Sequence, residues 1–166
     1  KNAISVFCQS SFHKNIVEKN LLLSNIINLS GNLWSDDDLT IIEALELKDK
    51  EDRAIILNSR IPHKNTTGAI EFCKRKNIDF TLAKSTSYHQ FLELIAANSR
   101  LVFLPKSPET LSRIVVEARM LGLSVIINNN VGAKYEDWIS LKGVDLIECV
   151  RDMRTRIVDT VLESFN

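Results

Sequence analysis

Leu101-Val-Phe-Leu-Pro105-Lys-Ser-Pro-Glu109-Thr-Leu-Ser-Arg-Ile-Val-Val-Glu117-Ala-Arg-Met-Leu-Gly122-Leu-Ser-Val125-Ile-Ile-Asn128 is the stretch on which the fold turns. Leu101–Leu104 and Val125–Asn128 are short runs with apolar residues on consecutive positions. Such runs expect burial on both faces, the habit of a parallel sheet. Pro105 and Pro108 fix an extended loop between them, and the second predicts a helix over Glu109–Leu121 that stops at Gly122. Strand, helix, strand at this spacing is a βαβ unit.

The same alternation runs along the rest of the chain. Further strands are expected at Ile4–Cys8, Ile26–Leu29, Ala54–Asn58 and Ile78–Leu82. Helices are expected at Asp36–Leu47, opened by Ser35 as N-cap with three acids in its first turn, and at Thr66–Lys76 and Tyr88–Ala97. A last one is expected over Arg151–Phe165, with Met153, Ile157, Val161 and Phe165 four apart on one face. The polar run Lys48-Asp-Lys-Glu-Asp-Arg53 reads as a surface connection into a main domain over residues 51–166. Residues 1–50 are a leading segment whose strands belong either to the same sheet or to a neighbouring unit. The expected class is α/β, a Rossmann-like three-layer αβα fold with a parallel sheet.

Composition narrows the functions. Lys+Arg and Asp+Glu each number 21 in 166 residues, so net charge is zero, and 45% of residues are hydrophobic. A balanced chain of this kind does not read as a nucleic-acid binder, and no apolar run approaches the roughly 20 residues of a bilayer span. No signal-peptide pattern is read at the start. Cys8, Cys73 and Cys149 are odd in number and far apart, fitting reduced structural thiols better than a disulfide frame or a zinc site. No G-x-G-x-x-G follows a strand, which disfavours a dehydrogenase, and no strand-end Asp stands in an acidic cluster of the response-regulator kind. His13, His63 and His89 lack metal-ligand spacing and read as surface or capping residues, with His63 a minor phosphate candidate. The chain opens on Lys1 rather than Met and is expected to be an excised piece of a longer protein.

In an open parallel sheet, ligands bind beyond the carboxyl ends of the strands. After Ala54–Asn58, the loop Ser59-Arg60-Ile-Pro-His-Lys64-Asn65 leads into a helix, so Arg60 and Lys64 suit an anion there; both are equally readable as solvated surface cations. After Leu101–Leu104, Glu109 and Glu117 lie eight residues apart and share a side if the helix is continuous. Glu109 is otherwise a first-turn acid favoured by the helix dipole, and Glu117, on an apolar run, needs a partner such as Arg113 at i−4. After Val125–Asn128, Asn129-Asn-Val-Gly132-Ala133 is a shaped loop that can offer N–H groups to a ligand or simply turn the chain. Asp36-Asp37-Asp38 contains the Asp-x-Asp pattern of a metal site but reads as a helix first turn.

Glu109-x7-Glu117, followed by Ala118 and Gly122-Leu-Ser-Val-Ile, resembles the E-x7-E signature of family 4 retaining glycosyltransferases. The loop Asn58–Asn65, with Arg60 and Lys64, is similar to that family's Arg and Lys after the first strand of its C-terminal domain, and Val131-Gly-Ala133…Glu136 adds to the likeness. It is best over Arg53–Asp137. Upstream, Val6–Lys14 and Asn25–Gly31 look like the end of an acceptor-binding half and the passage between halves. The resemblance implies the C-terminal, nucleotide-sugar-binding half of a GT-B enzyme. Arg60 and Lys64 would hold the donor diphosphate, Glu109 would face the transferred sugar, and Glu117 the ribose. Backbone N–H groups at Leu111 and Ser112 would touch phosphate, with Lys84 and Ser85 as weaker candidates for the base. Where many members carry Gly-Phe-Gly, this chain has Thr110-Leu111-Ser112, so Ser112 and Arg113 would offer side chains instead.

The resemblance further implies a nucleoside-diphosphate sugar as partner, no metal, no cofactor and no nucleic acid. It also implies a missing N-terminal acceptor domain and an acceptor whose identity is unknown. Surface-polysaccharide or glycan assembly in the cytoplasm is the expected setting, with peripheral association of the full-length enzyme at the inner face of a membrane. The fragment alone is expected to bind donor weakly and transfer nothing. A non-catalytic Rossmann-like scaffold or nucleotide-sensing module is the alternative.

Overall fold

The computed structural model describes residues 5–23, 25–84 and 87–165. Among the described residues, six strands alternate with six α-helices, and the strands pair in parallel. The main sheet has the order β4-β3-β5-β6, formed by β3 (Glu51–Leu57), β4 (Phe80–Ala83), β5 (Asn98–Phe103) and β6 (Ser124–Ile127). Ile55 pairs with Thr81 on one side and Leu101 on the other, and Leu101 with Val125. The fold is α/β and Rossmann-like.

Alternation along the central strands sorts the residues into two cores, as consecutive apolar positions predict. Ala54, Ile56 and Val102 pack on Ala69 and Cys73 of α3 (Thr66–Arg75). Ile55, Leu101 and Phe103 face the larger core, built with Leu92 and Ile95 of α4 (Tyr88–Ala96) and Val115 of α5 (Arg113–Met120). The chain steps from β3 outward to β4, then back past it to β5 and on to β6. Right-handed crossovers therefore put α3 on one face and α4 and α5 on the other. Burial pushes the Cys73 thiol pKa up, and Cys8, Cys73 and Cys149 are all free.

The leading residues form a second, two-stranded parallel ladder, β1 (Val6–Cys8) with β2 (Ile26–Asn28), joined by α1 (Ser11–Asn20). After it, α2 (Asp36–Glu46) buries Leu39, Ile42 and Leu45 in the larger core. Ser35 and Asp38 close a reciprocal capping box at its start, so the acidic triplet serves the helix.

Several boundaries differ from expectation: β4 and β5 are shifted by two or three residues at their starts, α1 is unexpected, and three more differences bear on the site. β3 begins at Glu51, inside the polar run, because a strand end needs backbone pairing and not apolar side chains; Glu51 pairs with Asn98. The last helix, α6 (Val144–Glu163), starts seven residues before Arg151, after Gly143 in the left-handed region. Its buried stripe of Leu146, Ile147, Val150, Met153 and Ile157 then runs out, and Phe165 is exposed. Finally, α5 begins at Arg113, so Glu109–Ser112 is not helical.

If α2 is part of the core, Ile42→Ala should cost about 3 kcal/mol in urea unfolding, while Thr40→Ala on the exposed side should stay within about 0.5 kcal/mol. Equal effects from the two would contradict this packing.

Candidate functional site

β3 and β5 are neighbours whose following loops run apart, toward β4 and toward β6 respectively. This is the topological switch point, where an open α/β sheet forms its crevice. The loop after β3 turns through a short 3-10 helix, Pro62–Lys64, then Asn65 takes the left-handed conformation that Asn tolerates. Thr66 Oγ1 donates to the Leu57 carbonyl and accepts from the Ser59 N–H, closing the loop on itself. Two bonds fasten it to the loop after β5: Lys106 N–H to the His63 carbonyl at 2.8 Å, and Asn65 Nδ2 to the Leu104 carbonyl at 2.7 Å.

Across this junction Lys64 Nζ lies 2.9 Å from both carboxylate oxygens of Glu109. The pair is largely shielded, with the Lys64 side chain 25% and the Glu109 side chain 14% exposed, and Lys64 also stands over the Phe103 ring at 5.6 Å. Lys64 and Glu109, both singled out in the sequence, are thus in direct contact with each other. Arg60 is exposed on the same loop, four residues earlier.

Glu109 reaches this position from an extended segment, which corrects the expected helix start. Its N–H donates to the Asn130 carbonyl and its carbonyl accepts from the Gly132 N–H, forming a bridge to Val131. The Leu111 carbonyl accepts from the Ala133 N–H, and the Leu111 side chain is buried in the main core. These bonds consume the Gly132 and Ala133 N–H groups, so that loop does not hold those two out to a ligand as expected. Asn128 and Asn130 instead donate to the Pro105 carbonyl, lacing the third loop onto the second.

On the far side of the same segment, Thr110 meets the leading residues. Ser10 Oγ donates to its carbonyl, and its own hydroxyl donates to Gln9 Oε1 at 2.6 Å. Glu136, buried nearby, accepts from the Ser11 N–H, the Ser11 hydroxyl and the Ser30 hydroxyl. None of these grips was legible in the sequence, because each joins residues a hundred or more positions apart.

Ser112 then opens α5 with φ 77°, and its side chain makes no capping bond. Among the described residues its hydroxyl is the buried side-chain oxygen without a hydrogen-bond partner. An uncapped helix start has unsatisfied N–H groups and a positive dipole end, both suited to an anion.

Glu117 lies one turn into α5, 3% exposed. Its Oε1 accepts from Tyr88 Oη at 2.8 Å, Trp34 Nε1 at 3.1 Å and Arg113 Nε at 3.3 Å. Arg113 also stands over the Trp34 ring at 4.6 Å and donates to the Leu33 carbonyl. The Arg113 pairing was foreseeable from the i, i+4 spacing; Trp34 and Tyr88 were not. Burial, together with the neighbouring Glu117, pushes the Tyr88 pKa up, so its hydroxyl stays protonated and donates.

The two acids therefore belong to two separate groups, Lys64–Glu109 and Arg113–Glu117, with no hydrogen bond or ion pair joining them among the described residues. Lys84 is exposed beyond β4, beside a cleft of about 370 Å³ shared with Glu93 and Leu94 of α4, away from Glu109. Ser85 lies outside the described residues. A larger cleft, about 750 Å³, opens between Leu33–Asp36 and α6, and its wall includes Trp34 and Leu33, the partners of Glu117 and Arg113.

No family model, no curated protein and no solved structure matches the chain. No helix among the described residues is long and apolar enough to cross a membrane.

The close approach at Gly132 gives a direct check on this site's frame. A Cβ there would lie 2.1 Å from the Thr110 carbonyl oxygen and 2.6 Å from Ser10 Oγ. Gly132→Ala should therefore lose about 3 kcal/mol in denaturant unfolding; a loss under about 0.5 kcal/mol would show that the segment is not clamped as described.

Proposed function

We propose that the chain is the donor-binding part of a retaining glycosyltransferase, one that takes a sugar from a nucleoside diphosphate to a glycan, lipid or other acceptor. The observation that carries this reading is the meeting of Lys64 and Glu109 across the switch point, three residues from the uncapped start of α5. The motif resemblance adds the reaction class, since Arg60, Lys64, Glu109 and Glu117 fall at that family's positions.

The chemistry follows from charge. Transfer breaks the bond between the sugar's anomeric carbon and the diphosphate and forms one to the acceptor oxygen, whose hydroxyl proton passes to the departing diphosphate. The electron pair leaves with the nucleoside diphosphate, whose added negative charge must be met by fixed positive groups. Lys64 has three N–H donors and spends two directions on Glu109, leaving one for phosphate. Arg60 adds a second cation, and the α5 start with the Ser112 hydroxyl supplies neutral donors. Glu109, held by Lys64, would accept from hydroxyls of the transferred sugar. Transfer itself belongs with the acceptor half, and a cytoplasmic setting beside a membrane is part of the same proposal.

A non-catalytic scaffold or nucleotide-sensing module is the second reading, favoured by the way Lys64 and Glu109 neutralise each other.

Titration of the chain with nucleoside diphosphates and their sugar conjugates, up to millimolar concentrations, distinguishes the two through Trp34 fluorescence. Saturable binding is expected, weakened about tenfold in Arg60→Ala, as the loss of one charge-assisted bond predicts. No response to any nucleotide, with Arg60→Ala behaving like the unaltered chain, would overturn the donor reading and favour the scaffold.

A further inference from the structure

We propose that the outward face of α6 is a self-association surface, on which a second copy of this chain docks in parallel about a twofold axis. The helix carries two stripes. With 3.6 residues per turn, the buried Val150, Met153 and Ile157 fall on one side. Thr155, Val158, Leu162 and Phe165, spaced three, four and three apart, fall roughly opposite. This second stripe is bare: Val158 is 48%, Leu162 59% and Phe165 70% exposed. Alternating steps of three and four are the spacing of a seam between two helices. The cleft of about 750 Å³ opens along the start of the stripe, with Thr155 and Val158 on one wall and Leu33 and Trp34 on the other.

Charge selects the occupant. Along the second half of α6, Arg151, Arg154 and Arg156 are matched by Asp152, Asp159 and Glu163, so the segment has no net charge. An anionic lipid surface or a nucleic acid calls for an excess of cations, which this face lacks. The signs are placed for self-pairing instead. Arg154 flanks the stripe on one side and Asp159, five residues on, flanks it on the other, and both line the cleft. In a parallel pair of identical helices, charges on opposite flanks and five residues apart meet across the seam. Arg154 of each copy therefore faces Asp159 of the other, twice over, as an isologous interface requires. Arg154 also bonds Asp36 of its own chain on the surface, and the five donors of its guanidinium serve both. Arg151, one step earlier along the seam, turns to Glu43 of its own chain at 2.6 Å, so the two copies do not oppose bare guanidiniums there. The seam is short, and an interface under about 1,200 Å² belongs to the weak class. A dimer dissociating at about 50 µM is expected.

Sedimentation velocity over about 5 to 500 µM chain tests this, with circular dichroism confirming the fold of each variant. The unaltered chain should pass from monomer to dimer across that range. Leu162→Glu, at an exposed position, should weaken association at least about tenfold by placing two like charges in the seam. Asp159→Arg alone should weaken it about fivefold, and Arg154→Asp combined with Asp159→Arg should return it to within about threefold of the unaltered chain. A monomer at every concentration would overturn the proposal. So would a dimer that Leu162→Glu leaves intact, the mark of another face, or one that Asp159→Arg leaves intact or the double exchange fails to restore, since parallel pairing demands both. Co-sedimentation of the unaltered chain, still monomeric, with phosphatidylserine–phosphatidylcholine vesicles, lost in Leu162→Glu, would overturn it in favour of a lipid surface.

Discussion

A lysine from one strand's loop and a glutamate from the next strand's loop share a contact at the point where the sheet changes direction. That single ion pair constrains much of what surrounds it. Lys64 must be delivered by a turn that ends in left-handed Asn65, and Glu109 by an extended segment instead of a helix. Both side chains are mostly shielded, so either one alone would be a poorly solvated charge. The pair is thus worth more as a mutual requirement than as a source of net stability.

Holding Glu109 extended has structural consequences on both sides. One side is bonded to the Asn130–Ala133 loop through the backbone, at a spacing that leaves no room for a Cβ on Gly132. The other is bonded to Gln9 and Ser10, so the leading β1-α1-β2 unit bears on the same segment. Glu136 reinforces that contact by accepting from Ser11 and Ser30 at once. The strand-end loops are therefore rigid and mutually bonded, a suitable frame for a ligand that must be held by several groups together.

The sheet was legible because its strands carry apolar residues in succession, which only a two-sided core explains; Ile55 and Ile56 indeed face different cores. The Lys64 and Glu109 contact was partly legible, since each falls in a loop at a strand's carboxyl end. The helix start at Glu109 was misleading, for Pro108 and an acid are good local signals, but pairing with Val131 decided the backbone. That contact is non-local, as are those of Glu117, whose need for partners was visible while Trp34, 83 residues away, was not. The last helix was placed too late because its first turns mix acids with the apolar residues, and its buried stripe shows only once α5 and α2 are in place.

The central claim is that phosphate-bearing ligands settle at the switch point, and backbone amide shifts in a ¹⁵N-labelled sample titrated with a nucleoside diphosphate examine it residue by residue. The account predicts that the largest changes fall on Lys64, Glu109 and the Ser112–Ile114 start of α5. Changes concentrated instead on Arg151–Asp159 of α6, across the larger cleft, would contradict it.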